Sequence, residues 1–150
     1  MRRRRRYLLS SWILLGEAGL CLCIAAFAKK ALPFRTFSKI LGRQVQDGMS
    51  SPLPPDLRID LVWAFSVFQL LGRVRPLCLT EVLALSLLLR RRGLGGTSYL
   101  GVAEKAPFSA HAWMRCGDSI LPRGQDLGAF RVVAIFEPPE KPTLPESPSR

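Results

Sequence analysis

Two residues in this chain have the types and the spacing for covalent catalysis. They are Cys78 and, 33 positions later, His111, the single histidine of the protein. A thiol at a helix start and an imidazole on a later strand can act as a nucleophile–base pair. The thiolate is the reactive form, and exposed N–H groups at a helix N-terminus favour that anion, as does a nearby imidazolium. The imidazole would carry the proton to a leaving amine during acyl transfer, and the backbone N–H groups of Cys78 and Leu79 are candidates for an oxyanion hole. Each residue also has a plainer reading. A cysteine before an apolar helix is often a small core residue, and a histidine beside a tryptophan is often a packing residue. Trp113 lies two positions from His111, so on a strand the two share a face; it either shields the imidazole or belongs to the core. Cys116 has no nameable partner and reads as structural.

The elements that must position this pair follow from periodicity and punctuation. Pro76 and Leu77 break the chain and Cys78 opens a helix. Leu79, Val82, Leu83, Leu85 and Leu87 to Leu89 make that helix apolar nearly all round, which predicts a buried central helix. Arg90 to Arg92 complement its dipole and Gly93 stops it. Gly93-Leu94-Gly95-Gly96 is not a phosphate loop, because it follows a helix and no Gly-Lys-Ser/Thr closes it. Upstream, a helix is expected from about Tyr7 to Ala31, ending before Pro33. A short one follows over Phe34 to Gly42, with Phe34, Phe37, Ile40 and Leu41 inward. Gln44 to Pro55 reads as a linker, and Asp56 as the N-cap of a helix through about Leu71. After Gly96 the period changes to that of strands: Thr97 to Val102, Ala110 to Cys116, Ser119 to Leu121 after a Gly117-Asp118 turn, and Phe130 to Phe136. Helices followed by a small antiparallel sheet make an α+β fold.

Size and charge bound the rest. With 150 residues and 48% hydrophobic content, the chain is one domain with a modest core and tails. The net charge of +11 is concentrated in Arg2 to Arg6 and Arg90 to Arg92. It favours an acidic partner such as anionic lipid, nucleic acid or an acidic peptide, or else marks a solvated arm. Four cysteines without a C-x-x-C pair, and one histidine, argue against a disulfide framework or a structural zinc site, and suit a reducing cytoplasm. Tyr7 to Ala28 is a mostly apolar stretch of 22 residues between five arginines and Lys29-Lys30, long enough to cross a bilayer. Glu17 near its middle would cost about 2.5–3.5 kcal/mol on insertion scales. A buried or membrane-surface helix is therefore favoured over a span.

The order of several short boxes is more specific. Arg75-Pro76-Leu77-Cys78-Leu79, Leu88-Leu89-Arg90-Arg91-Arg92-Gly93, Gly101-Val102 and Phe108-Ser109-Ala110-His111-Ala112-Trp113 occur in that sequence, preceded by Glu17-Ala18 and Leu32-Pro33-Phe34. From Trp12 to Phe136 the chain resembles the leader peptidase of lasso-peptide biosynthesis, a transglutaminase-like cysteine protease of microcin-type clusters. The resemblance implies cleavage of a ribosomally made precursor at its leader–core junction. It also implies a separate leader-recognition protein and a macrolactam synthetase as partners, no cofactor or metal, and no nucleic acid. The expected organisation is a basic arm over 1–6, an N-terminal helical region and linker over 7–55, a catalytic core over 56–136 and a disordered proline-rich tail over 137–150. The expected location is cytoplasmic, with membrane-surface contact through the first helix as an open reading.

One departure stands out. The family usually carries a third catalytic residue, an Asp, about twelve positions after the histidine, and here Arg123 occupies that position. Arginine cannot accept a hydrogen bond from imidazole. Asp118 reads as a solvated turn residue. Asp126 is the candidate replacement if the Pro122-Arg123-Gly124 segment bulges; otherwise it is a loop or cap residue, and a backbone carbonyl orients the ring. Two other functions stay open: a small basic membrane-associated protein without catalysis, and an isopeptide-forming acyl transferase on the same fold.

Overall fold

The computed structural model describes residues 2–48, 50–71, 78–105, 107–121 and 127–138. Four helices precede most of the sheet: α1 (Arg2–Ala31), α2 (Phe34–Leu41), α3 (Pro55–Leu71) and α4 (Cys78–Arg91). The strands are β1 (Arg43–Val45), β2 (Thr97–Ala103), β3 (Ala110–Cys116), β4 (Ser119–Leu121) and β5 (Phe130–Glu137), with a 3-10 turn at Leu127–Ala129 before the last. They form one antiparallel sheet in the order β1-β5-β2-β3-β4. This is the α+β architecture expected from the change in periodicity after Gly96.

Helix α4 is the hub. Val82 to Leu85, Leu88 and Leu89 are all buried, so water is excluded from nearly every side of it. It packs against α1, α2 and β3. Burying a leucine side chain contributes about 1.5–3 kcal/mol, and α4 alone supplies four such leucines. Gly93 terminates the helix at φ 69°, the left-handed conformation that only glycine adopts without strain. Helix α1 docks through Leu14, Ala18, Cys21, Leu22, Ala25 and Ala28. The small residues in that stripe let it approach α4 closely. Glu17 faces the end of α4, where it pairs with Arg91 at 3.5 Å and with Arg92.

Four local expectations are revised. Helix α1 begins at Arg2 instead of Tyr7, because arginine is a good helix former and the run contains no breaker. Helix α3 starts with Pro55, so Asp56 lies inside its first turn instead of capping it; proline at the first helical position sacrifices no hydrogen bond. The segment read as a linker contributes strand β1, whose Arg43, Gln44 and Val45 pair with the end of β5. Three polar or half-buried residues carry no period, so only the partner edge reveals that strand. Phe34 is exposed instead of inward, and its ring stands edge-on to that of buried Phe37 at 5.2 Å.

Residues 11–31 of α1 are long and apolar enough to cross a membrane by length and composition. In this fold one face of that helix is committed to the core.

Candidate active site

Helix α4 delivers Cys78 to the start of β3. Cys78 is its first residue, and the first four N–H groups of an α-helix have no intrahelical acceptor. The half-buried thiol lies with Sγ 3.9 Å from the carbonyl oxygen of Ala110, to which it donates. The sheet explains why that carbonyl is available. Ala103 N–H bonds to the Ser109 carbonyl at 2.8 Å, so the alternation of an antiparallel ladder turns the next carbonyl, that of Ala110, away from β2. The Cys78 sulfur is thus brought to the peptide unit immediately before His111, while the imidazole, alternating with core-facing Ala112, projects from the other face of β3.

His111 is 6% exposed and sits opposite Gly101 in the β2–β3 register. Its imidazole stacks on Trp113 at 5.8 Å between ring centres and lies 5.2 Å from the ring of Phe130. Trp113 in turn stacks on Tyr99 of β2 at 5.7 Å, with an interplanar angle of 5°. This aromatic wall withdraws the imidazole from water, and burial holds its pKa below the ordinary 6.5. At neutral pH the ring is therefore neutral, the form able to accept a proton. Glycine at 101 is a spatial requirement. A Cβ there would stand 2.9 Å from the Trp113 ring and 3.1 Å from Cβ of Phe130.

One turn into α4, Glu81 is 3% exposed and accepts a 3.1 Å hydrogen bond from Gln69 Nε2 of α3. Burial raises its pKa, and the Gln69 bond partly offsets this. The remaining thiols differ from Cys78 in setting. Burial pushes Cys116 up to about 11 and raises Cys21 as well, which keeps both protonated and unreactive. Cys23 is exposed on α1, remote in the chain from both catalytic candidates.

A family model described as the transglutaminase-like superfamily matches residues 28–134. The chain belongs to this superfamily. Its members are generally cysteine-dependent enzymes, of the protease or acyltransferase type. No curated protein and no solved structure matches the chain. The superfamily match runs from the end of α1 into β5 and includes Cys78, Gly101, His111 and Trp113.

Of the residues singled out by sequence, the transglutaminase-like fold brings Cys78 and the His111 backbone together. Asp118 is exposed in the turn at the opposite end of β3, seven residues from His111, and cannot orient the ring. Arg123 and Asp126 lie outside the described residues. Among the described residues no side chain hydrogen-bonds the imidazole; its neighbours are aromatic faces. Sequence reasoning passed over Glu81 and Phe130. Glu81 had a legible signal, an acid three residues after a candidate nucleophile in an otherwise apolar helix. Phe130 had none, since only the β2–β5 pairing carries it to His111.

Proposed function

We propose that this transglutaminase-like protein is a cysteine-dependent leader peptidase that cleaves a ribosomally made lasso-peptide precursor at its leader–core junction. The observation that carries the reading is the delivery of Cys78, first residue of the buried helix, to the peptide unit preceding the single buried histidine. The boxes around Cys78 and His111 and their order along the chain support the leader-peptidase specialisation.

In this mechanism the His111 ring swings from the aromatic wall toward the start of α4, because its side chain and Cys78 lie on opposite faces of β3 in this structure. Cys78 Sγ leaves the Ala110 carbonyl and gives its proton to the imidazole. The thiolate attacks the scissile carbonyl, and backbone N–H groups at the start of α4 stabilise the oxyanion. As the tetrahedral intermediate collapses, the C–N bond breaks and the imidazolium hands its proton to the departing core amine. The leader is left as a thioester on Cys78. Water, deprotonated by the neutral imidazole, then attacks the thioester and releases the leader carboxylate and the free thiol. A separate leader-recognition protein presents the precursor, and a macrolactam synthetase consumes the freed amine. Arg123 at the position usually held by an acid leaves orientation of the ring to Asp126 or to a backbone carbonyl.

The test is mass spectrometry of the candidate precursor incubated with the protein and its recognition partner, comparing wild type with Cys78→Ala. Loss of the leader mass with wild type alone supports the assignment. Cleavage by both proteins would make Cys78 structural and overturn it. An amine-linked product without hydrolysed leader would reassign the same thioester chemistry to acyl transfer.

A further inference from the structure

Helix α1 is apolar on two opposite sides, and only one of them is used by the fold. The inward stripe from Leu14 to Ala28 is buried against α3 and α4. On the other side Ile13, Leu20, Ile24 and Phe27, spaced seven, four and three residues apart, form a second stripe that lies open to solvent. Phe27 is 73% exposed and Trp12 63%. Trp12 meets Trp63 of α3 edge-to-face at 6.2 Å, so the stripe widens at one end into an aromatic pair. Single exposed apolar residues need no explanation, but a continuous row of large ones does.

The charges around this row select its occupant. The helix opens with Arg2 to Arg6 and closes with Lys29 and Lys30, so basic residues stand at both ends. Its one acidic residue, Glu17, is held by Arg91 and Arg92 of α4 and leaves the outward row free of negative charge. A second copy packed antiparallel on this row would set the arginine end of one helix against the lysine end of the other. Anionic lipid meets the opposite condition. Its headgroups pair with the terminal cations, while the row between them enters the acyl boundary and tryptophans rest at headgroup level. The 30-residue helix is about 45 Å long at 1.5 Å per residue, enough to lie along a bilayer surface with both basic ends in contact. The superfamily match begins at residue 28, so this row lies outside the part shared with the superfamily.

We infer that the outward face of α1 is a docking surface for an anionic membrane, on which the protein lies without crossing it. Burial of the opposite stripe in the core excludes a span, because spanning would strip α1 from α3 and α4 and break the Glu17 pairs.

The experiment uses the full-length protein and vesicles of phosphatidylcholine, alone or with one-third phosphatidylglycerol, read by co-flotation. Binding to the anionic vesicles only, falling about tenfold or more when salt rises from about 0.1 to 0.5 M, is the expected result. Leu20→Asp with Phe27→Asp should abolish flotation while the melting temperature stays unchanged, since both positions are exposed. Trp12 and Trp63 fluorescence should shift to the blue on binding and be quenched by lipid brominated near the headgroup. No flotation at either composition, equal flotation of the double variant, or retention through alkaline carbonate extraction would overturn the inference. So would a concentration-dependent dimer that the double variant dissolves, because the row would then be covered by a second copy.

Discussion

Strand β3 places two environments back to back. Ala112, Met114 and Cys116 point into the core shared with the helices, while His111 and Trp113, alternating with them, face an aromatic wall formed with Tyr99 and Phe130. Both faces are buried, yet burial serves different ends. On the core side it removes apolar surface from water and pushes the Cys116 thiol up to about 11, which silences it. On the aromatic side it favours the neutral imidazole, the form the proposed base needs. The same desolvation thus disarms an acid and arms a base, because in each case it disfavours the charged form. If His111 acts as proposed, the residues that hold the fold and the one that reacts alternate along one strand, so mutation should separate them.

The largest effect should come from the proposed pair, Cys78 and His111. Cys78→Ala and His111→Ala are each expected to lower turnover about a thousandfold or more while the protein stays folded. Met114→Ala should do the reverse, losing about 2–5 kcal/mol in denaturant unfolding while turnover per folded molecule persists. If Met114→Ala abolished turnover in the folded fraction, the two faces would be one unit and the comparison would fail.

Next in size is Gly101→Val, which would push the Trp113 ring and with it the stacked imidazole. A loss of about a hundredfold in kcat is expected, with an altered near-ultraviolet spectrum reporting the displaced tryptophan.

The pH dependence sharpens the same contrast. Because the folded imidazole titrates below 6.5, the acidic limb of kcat/KM should lie below pH 6.5. Phe130→Ala, which opens the ring to water, should move that limb upward toward 6.5. Stability has a matching sign. As pH falls through 6.5 the unfolded histidine takes its proton first, so the folded state loses stability until the native ring is also protonated.

Smaller effects come from two buried polar groups on the core side. Glu81 has a raised pKa, so its charged form is penalised once the carboxyl ionises in the fold. Glu81→Gln should raise stability by about 1 kcal/mol at pH 7 to 8, and the gain should vanish below pH 4.5, where both side chains are neutral. Ser98 is fully buried, and its hydroxyl has no partner among the described residues. Ser98→Ala is therefore expected to be neutral or stabilising by up to about 1 kcal/mol in thermal unfolding.

Much of this fold is legible in local signals. The run from Cys78 to Gly93 declares a buried helix through its leucines and its stop through glycine, and both hold. Strands β3 and β4 have the expected bounds, because the Gly117-Asp118 turn, with Gly117 at φ 58°, fixes where one ends and the other begins. Strand β1 was hidden for the opposite reason: an edge strand of three residues, neither apolar nor alternating, exists only by pairing with β5. Within the site, Cys78 and His111 are recognisable by type and order. Phe130 and the fit of Trp113 over Gly101 depend on sheet register, which no local pattern encodes. The partner of Glu81, Gln69 of α3, is set against it only by the packing of the two helices.

The sequence by itself determined the central helix and the superfamily core, since residue type and periodicity dictate element and burial. Tertiary structure decided which face each element uses. It turned Glu17 toward the arginines of α4 and left the outer row of α1 bare. It also set the sulfur of Cys78 against the Ala110 carbonyl and enclosed His111 in aromatic rings drawn from β3 and β5. The reason is physical. A side chain's desolvation and its partners are properties of the space around it, and in this protein that space is built by residues distant along the chain.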